Sequence, residues 1–178
     1  IFGAFLERTG IADFFIQIAN AFVGGFYGGP AKVAVVASAM EGMVSGSSVA
    51  NTVGSGSVTI PLMKRTGYKP EFAAAAEASA STGGQIMPPI MGAAAFLMAD
   101  YVQLPYSNIV VKAILPAVLY FAGIFISVHL EAKKLGLRGL SREELPKIRP
   151  MLKDLYLLLP LVLLIYLVSS SKSTIQYA

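Results

Sequence analysis

The chain has 178 residues, 55% of them hydrophobic and only 13% charged, with a formal net charge of +4. Soluble domains carry about 25% charged residues, so this composition excludes a disordered chain and argues against a soluble enzyme. The apolar residues come in long blocks, as in an integral membrane protein. Cysteine is absent and His129 is the sole histidine. That excludes disulfides and thiol chemistry and argues against a histidine-based zinc or haem site. Neither a transition metal nor an organic cofactor is expected.

The chain opens at Ile1 without the charged region, short apolar core and cleavage site of a signal peptide. It therefore reads as a piece of a longer polypeptide. Residues 11–24 (IADFFIQIANAFVG) set Asp13, Gln17 and Asn20 at helical spacing among apolar residues, which predicts an amphipathic helix or a partly buried span. Gly24, Gly25, Gly28, Gly29 and Pro30 then predict a flexible joint, so residues 1–28 read as connecting helices.

Residues 29–66 do not fit a simple span. Two apolar limbs, each about 20–25 Å as a helix, flank SGSSVANTVGSGS, and both are shorter than the bilayer core. Gly46, Gly54 and Gly56 are expected to break the helix between them. Lys32 marks the entry, and Lys64, Arg65 and Lys69 mark the exit. Basic residues collect on the cytoplasmic face, so a re-entrant hairpin with a polar tip near mid-membrane places both ends on one side. Residues 67–108 follow as a broken transmembrane helix. One half runs from Glu71 to Ser81, the sequence STGGQIMPP interrupts it, and the second half runs from about Ile90 to Tyr101. Backbone that leaves the helix inside a bilayer is buried in protein or lines a cavity, and secondary transporters build their sites from such segments.

Residues 109–130 read as a complete span containing Pro116. The polar stretch 131–154 reads as a cytoplasmic loop. Between residues 129 and 154 lie Lys133, Lys134, Arg138, Arg142, Lys147, Arg149 and Lys153, seven of the fourteen basic residues. The basic excess is thus topological, and no nucleic-acid partner is expected. Ser141 with Glu143 and Glu144 predicts a short surface helix capped by Ser141. Residues 155–178 begin another span. Tyr101, Tyr106, Tyr156 and Tyr177 suit an aromatic belt.

A helix broken at mid-membrane offers free carbonyls at one half and free N–H groups at the other. Carbonyls with Ser, Thr and Asn oxygens suit a hard cation such as Na⁺, and the N–H end suits a carboxylate. The cation is assigned to Ser47, Ser48, Asn51, Thr82, Gly83 and Gly84, and the carboxylate to Ser45, Asn51, Thr52, Ser81 and Pro88. Gly83 and Gly84 are expected to turn their carbonyls to the ion through positive φ, which glycine adopts freely. Close helix packing is the other reading of the glycines and serines. Two further readings fit less well. Residues 52–56 (TVGSG) are similar to a potassium filter, with Ser55 at its tyrosine, but no pore helix between two full spans precedes them. A serine nucleophile would need a base, and His129 lies at the cytoplasmic end of its helix. Glu41 and Glu77 lie four residues before Ser45 and Ser81, each on one helical face. Each steadies the polar site, carries a proton or makes a helix–helix hydrogen bond.

The stretch EGMVSGSSVANTVGSGSVTIPLMKRTGYKPEFAAAAEASASTGGQIMPPIMGAAAF closely resembles the large permease of the tripartite ATP-independent periplasmic (TRAP) transporters. STGGQIMPPIMGAAAF with HLEAKKLGL resembles the fused permeases that join the small and large membrane subunits in one chain. The resemblance implies an all-α polytopic protein of the bacterial inner membrane and a sodium-coupled symporter of organic acids. Its implied partners are a periplasmic substrate-binding protein, a small membrane subunit or its fused equivalent, and the lipid bilayer. It further implies an elevator-type transport domain of two inverted repeats, each a re-entrant hairpin plus a broken helix. Residues 29–66 and 71–101 match the first repeat. The second would lie in the remaining half of the permease, so residues 1–178 alone would not transport. The alternative is an ion channel or an accessory membrane protein with a re-entrant loop.

Overall fold

The computed structural model describes residues 10–141, 143, 145–146, 152–159, 162–163 and 166. The regular structure among these residues is all helix, without strand. Helix α1 spans Ile11–Val23. It buries Phe14, Phe15 and Ile16 and leaves Asp13 and Gln17 outside, the amphipathic pattern its spacing predicts. The glycine joint that follows is a packed corner and not a free one. Leu140 N–H donates to Gly24 O at 2.9 Å, and Gly28 N–H donates to Leu137 O. A side chain on Gly28 would run into Ala132 and the Tyr68 hydroxyl. Tyr68 is buried here, and that burial pushes its phenol up to about 12.

Helix α2 spans Gly29–Ser45, entered through left-handed Gly28 with Pro30 in its first turn. It ends at Gly46, whose φ of 58° only glycine adopts without strain. Ser47 then caps α3 (Ser48–Gly54) by accepting from Ala50 N–H. Helix α4 covers Gly56–Arg65. Gly54 and Gly56 do not break the chain as expected. Ser55 is right-handed, and its N–H to Asn51 O and Thr59 N–H to Ser55 O, both 2.9 Å, carry the helical ladder across. These glycines make room for carboxylates. A Cβ on Gly54 would lie 2.6 Å from Glu41 Oε1, and one on Gly56 would lie 3.1 Å from Glu77 Cγ.

Helix α5 spans Pro70–Gly83 and α6 spans Ala93–Val102. The interruption, residues 84–92, is as long as the sequence predicts but shifted about three residues towards the C-terminus. Helical bonding continues through Ser81 and Thr82, while Met91 has a φ of 54° and bars a helix from starting at Ile90. Helix α7 runs Tyr106–Leu135, 30 residues or about 45 Å. It is the one described helix long and apolar enough to cross a membrane, with a mean hydropathy of 2.3 over its best stretch. It continues past His129, so the polar stretch begins as helix, with Lys133 and Lys134 favourably placed in the last turn. Residues 152–158 form a 3₁₀ helix. Most of the span expected to begin over 155–178, and of the surface helix expected from Ser141, lies outside the described residues.

Helix α2 is the centre of the assembly, packed by α1, α4, α5 and α7. Its seam with α5 and α7 is built from Ala31, Ala34, Ala73, Ala76, Ala80 and Ala132. Small side chains let helix backbones approach closely where lipid offers no hydrophobic drive. Lys32, expected only as a marker of the cytoplasmic end, is buried with its ammonium over the rings of Phe26 and Phe125 at 5.7 and 5.0 Å.

Candidate functional site

The turn of the hairpin and the interruption between α5 and α6 meet. A Cβ on Gly46 would overlap Met91 O, and one on Gly42 would overlap Gly84 Cα. Gln85 Nε2 donates to Ser48 Oγ at 2.8 Å. Asn51 is fully buried between the two segments. Its Oδ1 accepts from Ser45 Oγ at 2.5 Å, and its Nδ2 donates to Ser38 O at 3.2 Å. A Cβ on Gly84 would lie 2.6 Å from Asn51 Nδ2. The interruption is held from outside by Tyr106, stacked on Phe96 at 4.6 Å, whose hydroxyl bonds Pro89 O and Ile90 O.

One helical turn below Asn51 lies the second polar layer, around Glu77. Its side chain is fully buried. Oε1 accepts from Ser38 Oγ at 2.9 Å, Ser55 Oγ at 2.6 Å and Ser81 Oγ at 3.1 Å. Oε2 accepts from Thr59 Oγ1 at 2.6 Å. Three packed helices and the α3–α4 joint thus converge on one carboxylate. No Lys, Arg or His among the described residues comes within the 4.0 Å of an ion pair. Hydroxyl donors take the part that a counter-charge would take. Glu41 is also buried, against Gly54.

Of the residues assigned from sequence, Ser45, Ser47, Ser48, Asn51 and Gly84 come together at the tip and the break. Ser81 is buried but turned to Glu77. Thr52 bonds Ser48 O within its own helix, and Thr82 stands on the exposed side of α5, bonded to Ala78 O. Pro88 is half-buried within the interruption. Gly83 and Gly84 do not have the positive φ expected of them; Gly84 lies at −58°, −27°. They are glycines because backbones and rings approach them. A Cβ on Gly83 would lie 2.6 Å from the Tyr120 ring, and one on Gly84 would lie 2.9 Å from Gly42 Cα. Sequence reasoning missed Ser38, Thr59, Gly42, Gln85 and Tyr106. For Ser38 and Thr59 a signal existed: single polar residues at helical spacing from Glu41 and Ser55 inside apolar runs.

The sequence model of the family described as the DctM component of the tripartite ATP-independent periplasmic transporters matches residues 1–178. The chain is 33% identical over 129 residues to a C4-dicarboxylate TRAP transporter large permease protein of Vibrio cholerae, covering 72% of this chain and 28% of that one. Its identity to the protein of the same name from Pseudomonas aeruginosa is 30% over 143 residues, 80% of this chain and 33% of the other. An isethionate TRAP transporter permease protein of Oleidesulfovibrio alaskensis is 26% identical over 141 residues, 79% of this chain and 22% of its own. The chain thus spans about a third or less of the length of these relatives.

Proposed function

The chain belongs to the DctM component family of the tripartite ATP-independent periplasmic transporters, and from that premise we propose that it is part of a sodium-coupled permease importing organic acids. The observation that carries this reading is the meeting of the hairpin turn and the start of α3 with the interruption between α5 and α6, where Asn51 faces Gly84, Gly46 faces Met91 and Ser48 bonds Gln85. Interrupted helices that face each other are how secondary transporters present carbonyls to a cation and N–H groups to a carboxylate. Ser45, Ser47, Ser48, Asn51 and Gly84 stand where such a site would be. Thr82, Gly83, Thr52, Ser81 and Pro88 flank it and would join after rearrangement or on docking of the rest of the permease. Hard oxygen and amide donors are the ligand types that Na⁺ and a carboxylate take.

In this proposal the hairpin is re-entrant and belongs to a mobile, elevator-type domain in the bacterial inner membrane. A periplasmic substrate-binding protein delivers the acid, and a small membrane subunit, separate or fused, completes the permease. The second hairpin and broken helix come from the remaining half of the protein. Residues 102–108 face out, and residues near 138 face the cytoplasm, where their basic neighbours favour them.

The test is uptake of a labelled C4-dicarboxylate into proteoliposomes holding the full-length permease, with its binding protein supplied outside. Uptake should saturate and collapse when an inward Na⁺ gradient is replaced by K⁺. Passive, non-saturating flux would instead favour a channel.

A further inference from the structure

We propose that Glu77 is the positioning residue of this site and that it acts through hydrogen-bond reach, not through its charge. The proposal rests on reading the tip and the break as the binding site. An ionisable side chain in an apolar helix is by default a suspect ion or proton carrier. The surroundings of Glu77 assign it a different task.

Two connections lead from Glu77 to Asn51. Ser38 donates its hydroxyl to Glu77 at 2.9 Å, and its carbonyl accepts from Asn51 Nδ2 at 3.2 Å. Ser55 donates its hydroxyl to Glu77 at 2.6 Å, and its N–H bonds Asn51 O at 2.9 Å. The acceptor of the Asn51 amide and the turn that carries Asn51 are both anchored on the same carboxylate. That carboxylate sits on α5, the helix whose end supplies Gly84. Glu77 therefore fixes the register of the tip against the break.

The same geometry makes charge dispensable. Each hydroxyl has one proton. Two of the four have a second acceptor in reach: Ser55 Oγ has Asn51 O at 2.8 Å, and Thr59 Oγ1 has Ser55 O at 3.0 Å. A glutamine at this position is accommodated by rotating hydroxyls alone. Its carbonyl accepts from Ser38 and Ser81, and its amide donates to Thr59, whose proton turns to Ser55 O. Aspartate keeps the charge but withdraws the carboxylate by one C–C bond, about 1.5 Å. That moves contacts now at 2.6 Å to about 4 Å, beyond hydrogen-bond range. A carrier of charge would tolerate aspartate better than glutamine, and a positioning residue has the opposite order.

The experiment compares Glu77→Gln and Glu77→Asp in the full-length permease, with native cysteines elsewhere replaced. Register is read as the rate at which a short bifunctional thiol reagent joins Ser48→Cys to Gln85→Cys. Coupling is read separately, without the cysteine pair, as the Na⁺ concentration giving half-maximal uptake. Glu77→Gln should stay within about twofold of the parent in both, and Glu77→Asp should shift both by about fivefold or more, the equivalent of losing one or two hydrogen bonds. Failure of Glu77→Asp to reach the membrane while Glu77→Gln inserts normally gives the same order and supports reach. The proposal is overturned if Glu77→Asp outperforms Glu77→Gln, if both fail, or if both match the parent. A cross-linking order of Gln above Asp with uptake indifferent to Na⁺ would overturn the sodium reading of function and leave the positioning role standing.

Discussion

Helix α7 and the hairpin–break junction invert each other. On α7, Val111, Leu115, Val118 and Leu119 stand exposed, Leu119 by 63%. In the junction Ser38, Asn51, Ser55, Thr59, Glu77 and Ser81 are wholly buried and hydrogen-bonded to one another or to backbone. In water this arrangement would be inside out, since exposed apolar patches of that extent are rare on soluble monomers. In a bilayer, or against further helices of the permease, the apolar face of α7 is at home. Polar groups are then safe only where protein satisfies them. The buried polar residues of this chain therefore mark where the hairpin meets α5, in two layers, Asn51 above Glu77.

Substitutions in either region test this inversion. Gly46→Ala should have the largest effect. It combines a left-handed φ with a side chain driven into Met91 O, and the full-length protein should lose its folded, monodisperse fraction in detergent. Leu119→Arg is next. A polar residue on an exposed helix face is harmless in a soluble protein, but at the centre of a span it costs about 2.5–3.5 kcal/mol. Membrane-inserted protein should fall sharply, and normal insertion would mean that this face never meets lipid or apolar protein. Gly84→Ala and Gly83→Ala should each cost about 1–3 kcal/mol by overpacking, seen as a lower melting temperature. They separate in function: Gly84→Ala displaces Asn51 and should raise the Na⁺ requirement strongly, while Gly83→Ala presses on Tyr120 and should raise it less. Gly123→Ala is the smallest and opposite in sign. Nothing lies within 4 Å of its Cβ position, so helix propensity alone acts and stability should rise by about 0.5–1 kcal/mol, seen as a slightly higher melting temperature.

The parts that were legible in the sequence follow from single-chain rules. The span of α7 follows from an uninterrupted apolar run, and the turn at Gly46 and the existence, though not the bounds, of the interruption between α5 and α6 follow from glycine and proline. The roles of the other glycines were not legible. Gly42, Gly54, Gly56 and Gly84 look alike in a sequence, yet each is small because of what another helix brings against it. The expectation of positive φ at Gly83 and Gly84 confused close approach with backbone conformation. Glu77 was suspected, and its pairing with Ser81 at i, i+4 was visible. The links from Ser38 and Thr59 to Glu77 were not, although both residues stand out as polar within apolar runs, because those links span 39 and 18 residues and exist only once the hairpin folds onto α5.

The most direct test of the account is the Na⁺ dependence of uptake by full-length permease carrying Asn51→Ala, at membrane levels matched to the parent. The Asn51 side chain touches the tip, the entry limb and the break together. If these segments form the cation site, the Na⁺ concentration for half-maximal uptake should rise by about tenfold, as expected for losing about 1.4 kcal/mol of polar contacts. An unchanged Na⁺ requirement in normally inserted Asn51→Ala protein would contradict the account and move the site elsewhere in the permease.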